Sequence, residues 1–115
     1  MKEAVIYLKG QKIVDIYVAD SFWTRFRGLM GKTSEQITDM GGLLIKPCSQ
    51  IHMFFMKTPI DVVYLDSKNK IVKIDCEVPT WKCCRKVNGS KSVIELPKGA
   101  AIQLELKEND QLEVL

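Results

Sequence analysis

The sequence predicts an α+β domain: a largely antiparallel, barrel-like β-sheet of about seven strands with two or three short helices. Three observations lead there. Apolar and polar residues alternate through several short stretches, the period-two pattern of strands with one dry face. Gly, Asn and Asp break those stretches at short intervals, as hairpin turns require. Helical signals mark two short segments in the first third of the chain, with a third candidate start at Pro97.

The elements follow in order. "AVIYLKGQKIVDIYVA" reads as a hairpin, with Lys9–Lys12 and Gly10 at its turn and Val14, Ile16 and Val18 on one face. In "DSFWTRFRGLMG" the period changes. Phe22, Trp23, Phe26, Leu29 and Met30 make one helical stripe, capped by Asp20 or Ser21 and ended by Gly31. "TSEQ" at 33–36 is a capping box for a second short helix. Leu43–Ile45, after Gly41–Gly42 and before Pro47, is a short buried strand.

"DVVYLDSKNKIVKIDCEV" is a second hairpin, turning at Asp66–Asn69. Val72, Ile74, Cys76 and Val78 form its dry face, which makes Cys76 a core residue. "PTWKCCRKVNGSK" is a loop and "SVIEL" a strand. Pro97 suits the first turn of a helix, although Gly99 weakens that assignment. "KEND" turns the chain into a last strand, "QLEVL".

With 115 residues, 46% hydrophobic and 27% charged, the chain is expected to be a single domain, 1–115, with a core of its own. It has no apolar run long enough to span a bilayer. Its opening is charged again too soon for a signal peptide, so a cytoplasmic location is expected. Residues 67–91 hold seven Lys or Arg against two acids, and residues 92–115 hold two against five. A basic stretch of that kind meets anions or stands as a solvated face. No specific nucleic-acid binding is expected from it, because Trp81 is its only aromatic residue. The four cysteines form no CxxC pair and are expected to be reduced.

The chemistry concentrates in "IHMFFMKTPID", residues 51–61, which holds the only histidine. Cys48, His52 and Met56 would suit a soft metal on a helix, but Pro47 and Pro59 favour an extended chain that separates them. No metal or cofactor is therefore expected. Cys48, His52 and Asp61 could form a nucleophile, base and orienting acid, yet no oxyanion hole is visible. Arg27, His52, Met56, Lys57 and Asp61, with Arg25 nearby, suit a groove for a small anionic ligand or a protein partner. Structural roles compete with all three: a bonded core histidine, a packing methionine, and an ion pair from Arg27 to Asp61 or Glu95.

"FRGLMGK" at 26–32, "GGLLIKPCSQIHMFFMKTPIDVVYLD" at 41–66 and "SVIELPKGAAIQLELKENDQLEV" at 92–114 resemble the domain of unknown function 192. The family's R-G-L-[LM] helix, its C-x-x-[IV]-H segment ending in P-[IL]-D, and its E-L-P-x-G element occur here in the same order. The chain departs from the pattern at Asn109-Asp110, where Gly-Asp is common, and at the paired Cys83-Cys84. The resemblance implies a compact α+β domain with a barrel-like sheet, and no established activity. The combined reading is a binding module with a groove around the RGLM helix and residues 51–61. A Cys-His-Asp enzyme and soft-metal binding are the alternatives.

Overall fold

The computed structural model describes residues 1–115. Seven strands form one sheet: β1 (Lys2–Leu8), β2 (Gln11–Ala19), β3 (Leu43–Ile45), β4 (Ile60–Leu65), β5 (Ile71–Val78), β6 (Ser92–Pro97) and β7 (Leu112–Val114). Three short helices join them: α1 (Phe22–Arg27), α2 (Ser34–Met40) and α3 (Ala100–Gln103). The strand order is β5-β4-β6-β3-β2-β1-β7. Every neighbouring pair is antiparallel except β2–β3, which is parallel because α1 and α2 carry the chain across between them.

Both faces of the sheet's centre are dry. Strand β4 is buried at all six positions, so its alternating side chains supply two cores. Val63 and Leu65 join a cluster of ten buried residues to which every strand contributes, the inside of a curled sheet. Ile60, Val62 and Tyr64 join a cluster of fifteen on the outer face, roofed by Leu29, Ile37, Ile51, Met53 and Met56. The curl brings the outer edges together, where Lys70 bridges Gln111 and the Ile71 N–H donates to the Asp110 carbonyl at 2.9 Å. No continuous ladder closes it, so the barrel-like expectation holds only loosely, while the α+β class holds outright.

Local chemistry explains most elements. Ser21 caps α1 and Thr33 caps α2, each completing a capping box with the residue three positions on, Thr24 or Gln36. Three expectations need correction. Helix α1 ends at Gly28 rather than Gly31, since Gly28 leaves helical space with φ +52°. Phe22, Trp23 and Phe26 therefore stay exposed, and only Leu29, after the turn, enters the core. Pro97 ends β6, and α3 starts at Ala100 behind a left-handed Gly99. Cys76 is exposed because β5 bulges: Ile60 pairs with Val78 but Val62 with Asp75, leaving Cys76 and Glu77 opposite Asp61 alone.

Asp61 holds that bulge. It is fully buried, and its Oδ1 accepts the Glu77 N–H at 2.9 Å while its Oδ2 accepts the Ala101 N–H at 2.9 Å. One carboxylate thus pins the bulged strand and the first turn of α3, where a negative charge is favoured. Replacing Asp61 with Ala would orphan two amide hydrogens at a buried site. We expect Asp61→Ala to lose about 2–5 kcal/mol by urea unfolding, with Asp61→Asn losing less. An alanine variant within 0.5 kcal/mol (roughly the scale of a surface substitution) would show the bonds to be dispensable.

Candidate functional site

The chain between β3 and β4 has no regular structure, yet it is tightly placed. Ile51, Met53 and Met56 are buried, whereas His52, Phe54 and Phe55 point outward. This segment is fastened to the loop after β5. The Met53 N–H donates to the Lys82 carbonyl at 2.7 Å, the Trp81 N–H to the Met53 carbonyl at 2.7 Å, and the Cys84 N–H to the Ile51 carbonyl at 3.2 Å. His52 and Cys83 stand opposite one another in this short antiparallel pairing. Phe55 and Trp81 take positive φ values, +61° and +67°, which bulky side chains rarely adopt.

Beside it lies a small cleft of about 60 Å³, where the end of α1 meets β3, β6 and residues 48–56. Its lining includes Arg25, Arg27, Cys48, His52, Met56 and Glu95. Glu95 is the centre. It sits mid-strand on β6 with only 4% of its surface exposed, and its Oε1 has no hydrogen-bond partner. Burial lifts its pKa from the ordinary 4.5 to about 7. Gly28 lies directly over it: a Cβ there would stand 3.2 Å from that oxygen. The absence of a side chain at position 28 is what leaves room above the carboxyl.

The groups around Glu95 leave it unpaired. The structure holds two ion pairs, Lys12–Asp15 and Lys73–Asp75, both at the surface. The expected ion pair from Arg27 to Asp61 or Glu95 is therefore not formed. The Arg25 guanidinium reaches the Lys46 carbonyl, at 3.5 Å. His52 is half-buried, and its Nδ1 accepts the Phe54 N–H at 3.3 Å, which leaves Nε2 as the position for a proton. The Cys48 thiol donates to the Gln50 carbonyl at 3.2 Å. Burial raises its pKa, the backbone at Gln50 partly offsets this, and the nearby Glu95 raises it further.

Of the residues singled out from the sequence, Arg27, His52, Met56 and Cys48 meet at this cleft, together with Arg25. Lys57 and Asp61 are not part of its lining, and both Asp61 oxygens are engaged with backbone N–H groups elsewhere. Cys48, His52 and Met56 share the cleft, but no three His, Cys, Asp or Glu side chains are grouped as metal ligands would be. From the sequence alone Glu95 stands only as an ion-pair partner. The visible signal was a lone acid inside an apolar strand, and its isolation shows only in three dimensions.

The folded state holds a proton on Glu95 more tightly than the unfolded chain does, because the pKa is raised from 4.5 to about 7. Its contribution to stability is thus complete below pH 4.5 and is lost as the pH rises through about 7. We expect the native protein to lose up to about 3 kcal/mol more than Glu95→Gln between about pH 5 and about pH 8, measured by denaturant unfolding at both. Parallel pH profiles for the two proteins would contradict this. At neutral pH a thiol probe should label Cys48 more slowly than the exposed Cys83, because the thiolate reacts and burial disfavours it. Faster labelling of Cys48, read by peptide mass mapping, would count against a protonated thiol.

Comparison with known proteins extends along the whole of this architecture. A family model described as Uncharacterized ACR, DUF192, matches residues 4–114. A UPF0127 protein of Thermococcus sibiricus is 33% identical over 85% of this chain, and the chain spans 64% of that relative's length. A UPF0127 protein of Pyrococcus furiosus is 28% identical over 91% of each chain. The crystal structure of a Sinorhizobium meliloti protein, described as a candidate transcription regulator, superposes with a TM-score of 0.79 and 20% identity. That likeness covers 98% of this chain and 92% of the other, and at such identity it speaks for the fold alone.

Proposed function

This chain belongs to the uncharacterised DUF192 family, and we propose that it is a binding module whose site is the cleft over Glu95. The observation that carries the reading is the buried Glu95 Oε1, which has no partner within the protein and borders an opening. An unpartnered buried acceptor costs about 1–3 kcal/mol, which a ligand's hydrogen-bond donor would recover. Gly28 keeps the way to it open. Arg25 and Arg27 at the rim, with no carboxylate partner, add a preference for negative charge. The ligand that fits has a donor group for Glu95 and an anionic group for the arginines. Cleft walls from Phe26, Ile51 and Met56 would pack its apolar part.

The alternative of a Cys48–His52–Asp61 enzyme draws less support. A nucleophilic cysteine needs a lowered pKa, and that of Cys48 is raised. An orienting acid must reach the imidazole, and both oxygens of Asp61 accept backbone N–H groups.

The test is a backbone amide NMR titration with nucleoside monophosphates and phosphoethanolamine, which carry both groups, and with inorganic phosphate as the control. A donor-bearing anion should shift the Gly28 and Glu95 amides at millimolar concentration, phosphate alone should shift them less, and Glu95→Ala should abolish the difference. Shifts with none of the three compounds would end the cleft reading.

A further inference from the structure

The cleft opens beside a succession of aromatic rings drawn from three separate segments. Trp23 stacks on Phe26 with ring centres 6.1 Å apart, and Phe26 meets His52 at 6.2 Å. His52 stacks on Phe54 at 5.2 Å, Phe54 meets Trp81 at 6.2 Å, and Phe55 packs on Trp81 at 4.9 Å. Five of these six side chains are exposed hydrophobics, from Phe54 at 39% to Phe55 at 65%. Burying such rings is worth more than almost any other side chain contributes, so their exposure is costly unless something covers them.

The backbone reinforces the point. Phe55 and Trp81 both take positive φ, and their rings touch one another. Strain of this kind at bulky residues costs about 1–3 kcal/mol each and concentrates at functional surfaces. Here it turns two apolar rings outward from a loop whose backbone is firmly bonded.

Charge says what kind of partner fits. The rings come from three segments, residues 21–34, 46–58 and 79–91. Together those segments hold nine of the seventeen Lys and Arg and none of the fourteen Asp and Glu. The rest of the chain therefore holds eight basic residues against fourteen acidic ones. Arg25 and Arg27 alternate with the rings on α1, Lys57 follows Phe55, and Lys82 and Arg85 follow Trp81. A row of rings flanked by cations, on segments that carry no acid of their own, suits a linear polyanion that carries flat groups.

We propose that this face binds single-stranded nucleic acid, its bases stacking along the Trp23–Trp81 row and its phosphates meeting the flanking Arg and Lys. The inference rests on the cleft reading: a base at the His52 position would lie next to the opening over Glu95, where a ring N–H, as on thymine, or an exocyclic amine can donate. It also revises the sequence expectation, in which Trp81 stood alone. In space Trp81 has Phe54 and Phe55 as neighbours. A membrane surface is the competing occupant, but a flat bilayer gives no reason for successive ring contacts to border an opening over a buried carboxyl.

The chain's two tryptophans both lie in this row, so their fluorescence reports on it directly. The experiment titrates the full chain at low salt with oligothymidylate of about 12 nucleotides, a length within the range one small fold covers. Duplex of equal length and vesicles of phosphatidylglycerol run in parallel. Oligothymidylate should quench the emission and bind more tightly than duplex. The log of affinity should fall with log salt at a slope of about −2 to −3, as three or four phosphate contacts require. Trp81→Ala and Phe54→Ala, both at exposed positions, should each weaken binding about 5- to 100-fold. Circular dichroism of these variants checks that the fold is retained. Unquenched emission with oligothymidylate, an affinity indifferent to salt or to both substitutions, or a blue shift with vesicles alone would each overturn the proposal. Binding that survives Glu95→Gln with the row intact would support the row while removing the cleft from its ligand. Small-molecule shifts at Gly28 without oligonucleotide binding would do the reverse.

Discussion

The fold depends on how two neighbouring strands handle buried carboxyl groups. Strands β4 and β6 run side by side through the middle of the sheet with both faces dry. Each carries one deeply buried acid. On β4 the carboxylate of Asp61 accepts two backbone N–H groups at 2.9 Å, which binds the β5 bulge and the start of α3 to the sheet centre. Burying an ion is tolerable only when such bonds replace its water. Here the replacement also decides the shape: the bulge turns Cys76 and Glu77 off the regular alternation, and the curl of the sheet continues past it.

Glu95 on β6 is treated in the opposite way. It is nearly as deeply placed as Asp61, yet one of its oxygens has no partner and its pKa rises to about 7. A core selected for stability alone would hold an apolar residue here, since the neighbours Ile94 and Leu96 already fill the other face. The strand keeps a carboxyl instead, and Gly28 keeps space above it. One buried acid serves the scaffold, and the other faces an opening that the scaffold builds.

Much of this was legible in the sequence where the signal is local. Two hairpins, two capping boxes and the short strand after Gly41–Gly42 follow from spacing of a few residues. Position 42 shows why glycine is needed there, as a Cβ would come within 2.9 Å of the Glu95 carbonyl oxygen. The misreadings have two causes, one a contact between distant segments and the other a local backbone break. Cys76 has the right spacing for the core, but the bulge that exposes it is held by Asp61, some fifteen positions away in the chain. Phe22, Trp23 and Phe26 have the spacing of a buried stripe, but Gly28 ends the helix before that stripe can pack. The grouping of Arg27, Cys48, His52 and Met56 was visible as residue types, whereas Lys57 and Asp61 could be separated from it only by their placement.

The same reasoning explains how an aromatic face arises from a chain with only 8% aromatic residues. No single segment carries more than three rings of the row, so no window of the sequence reads as a stacking surface. The row exists because Met53 is fully buried and holds residues 51–55 against the loop of Trp81 through two 2.7 Å hydrogen bonds. An inward Met53 fixes the sense of the alternation, so His52 and Phe54 must point outward together. From there the rings of α1 meet His52 on one side and Trp81 meets Phe54 on the other. Acids are absent from the three segments that meet here, which leaves the charge of those segments one-signed. Exposed rings, strained backbone and one-signed charge each cost stability when taken alone. That all three coincide beside an unpartnered carboxyl is what the proposed binding face rests on, and the sheet beneath supplies only its support.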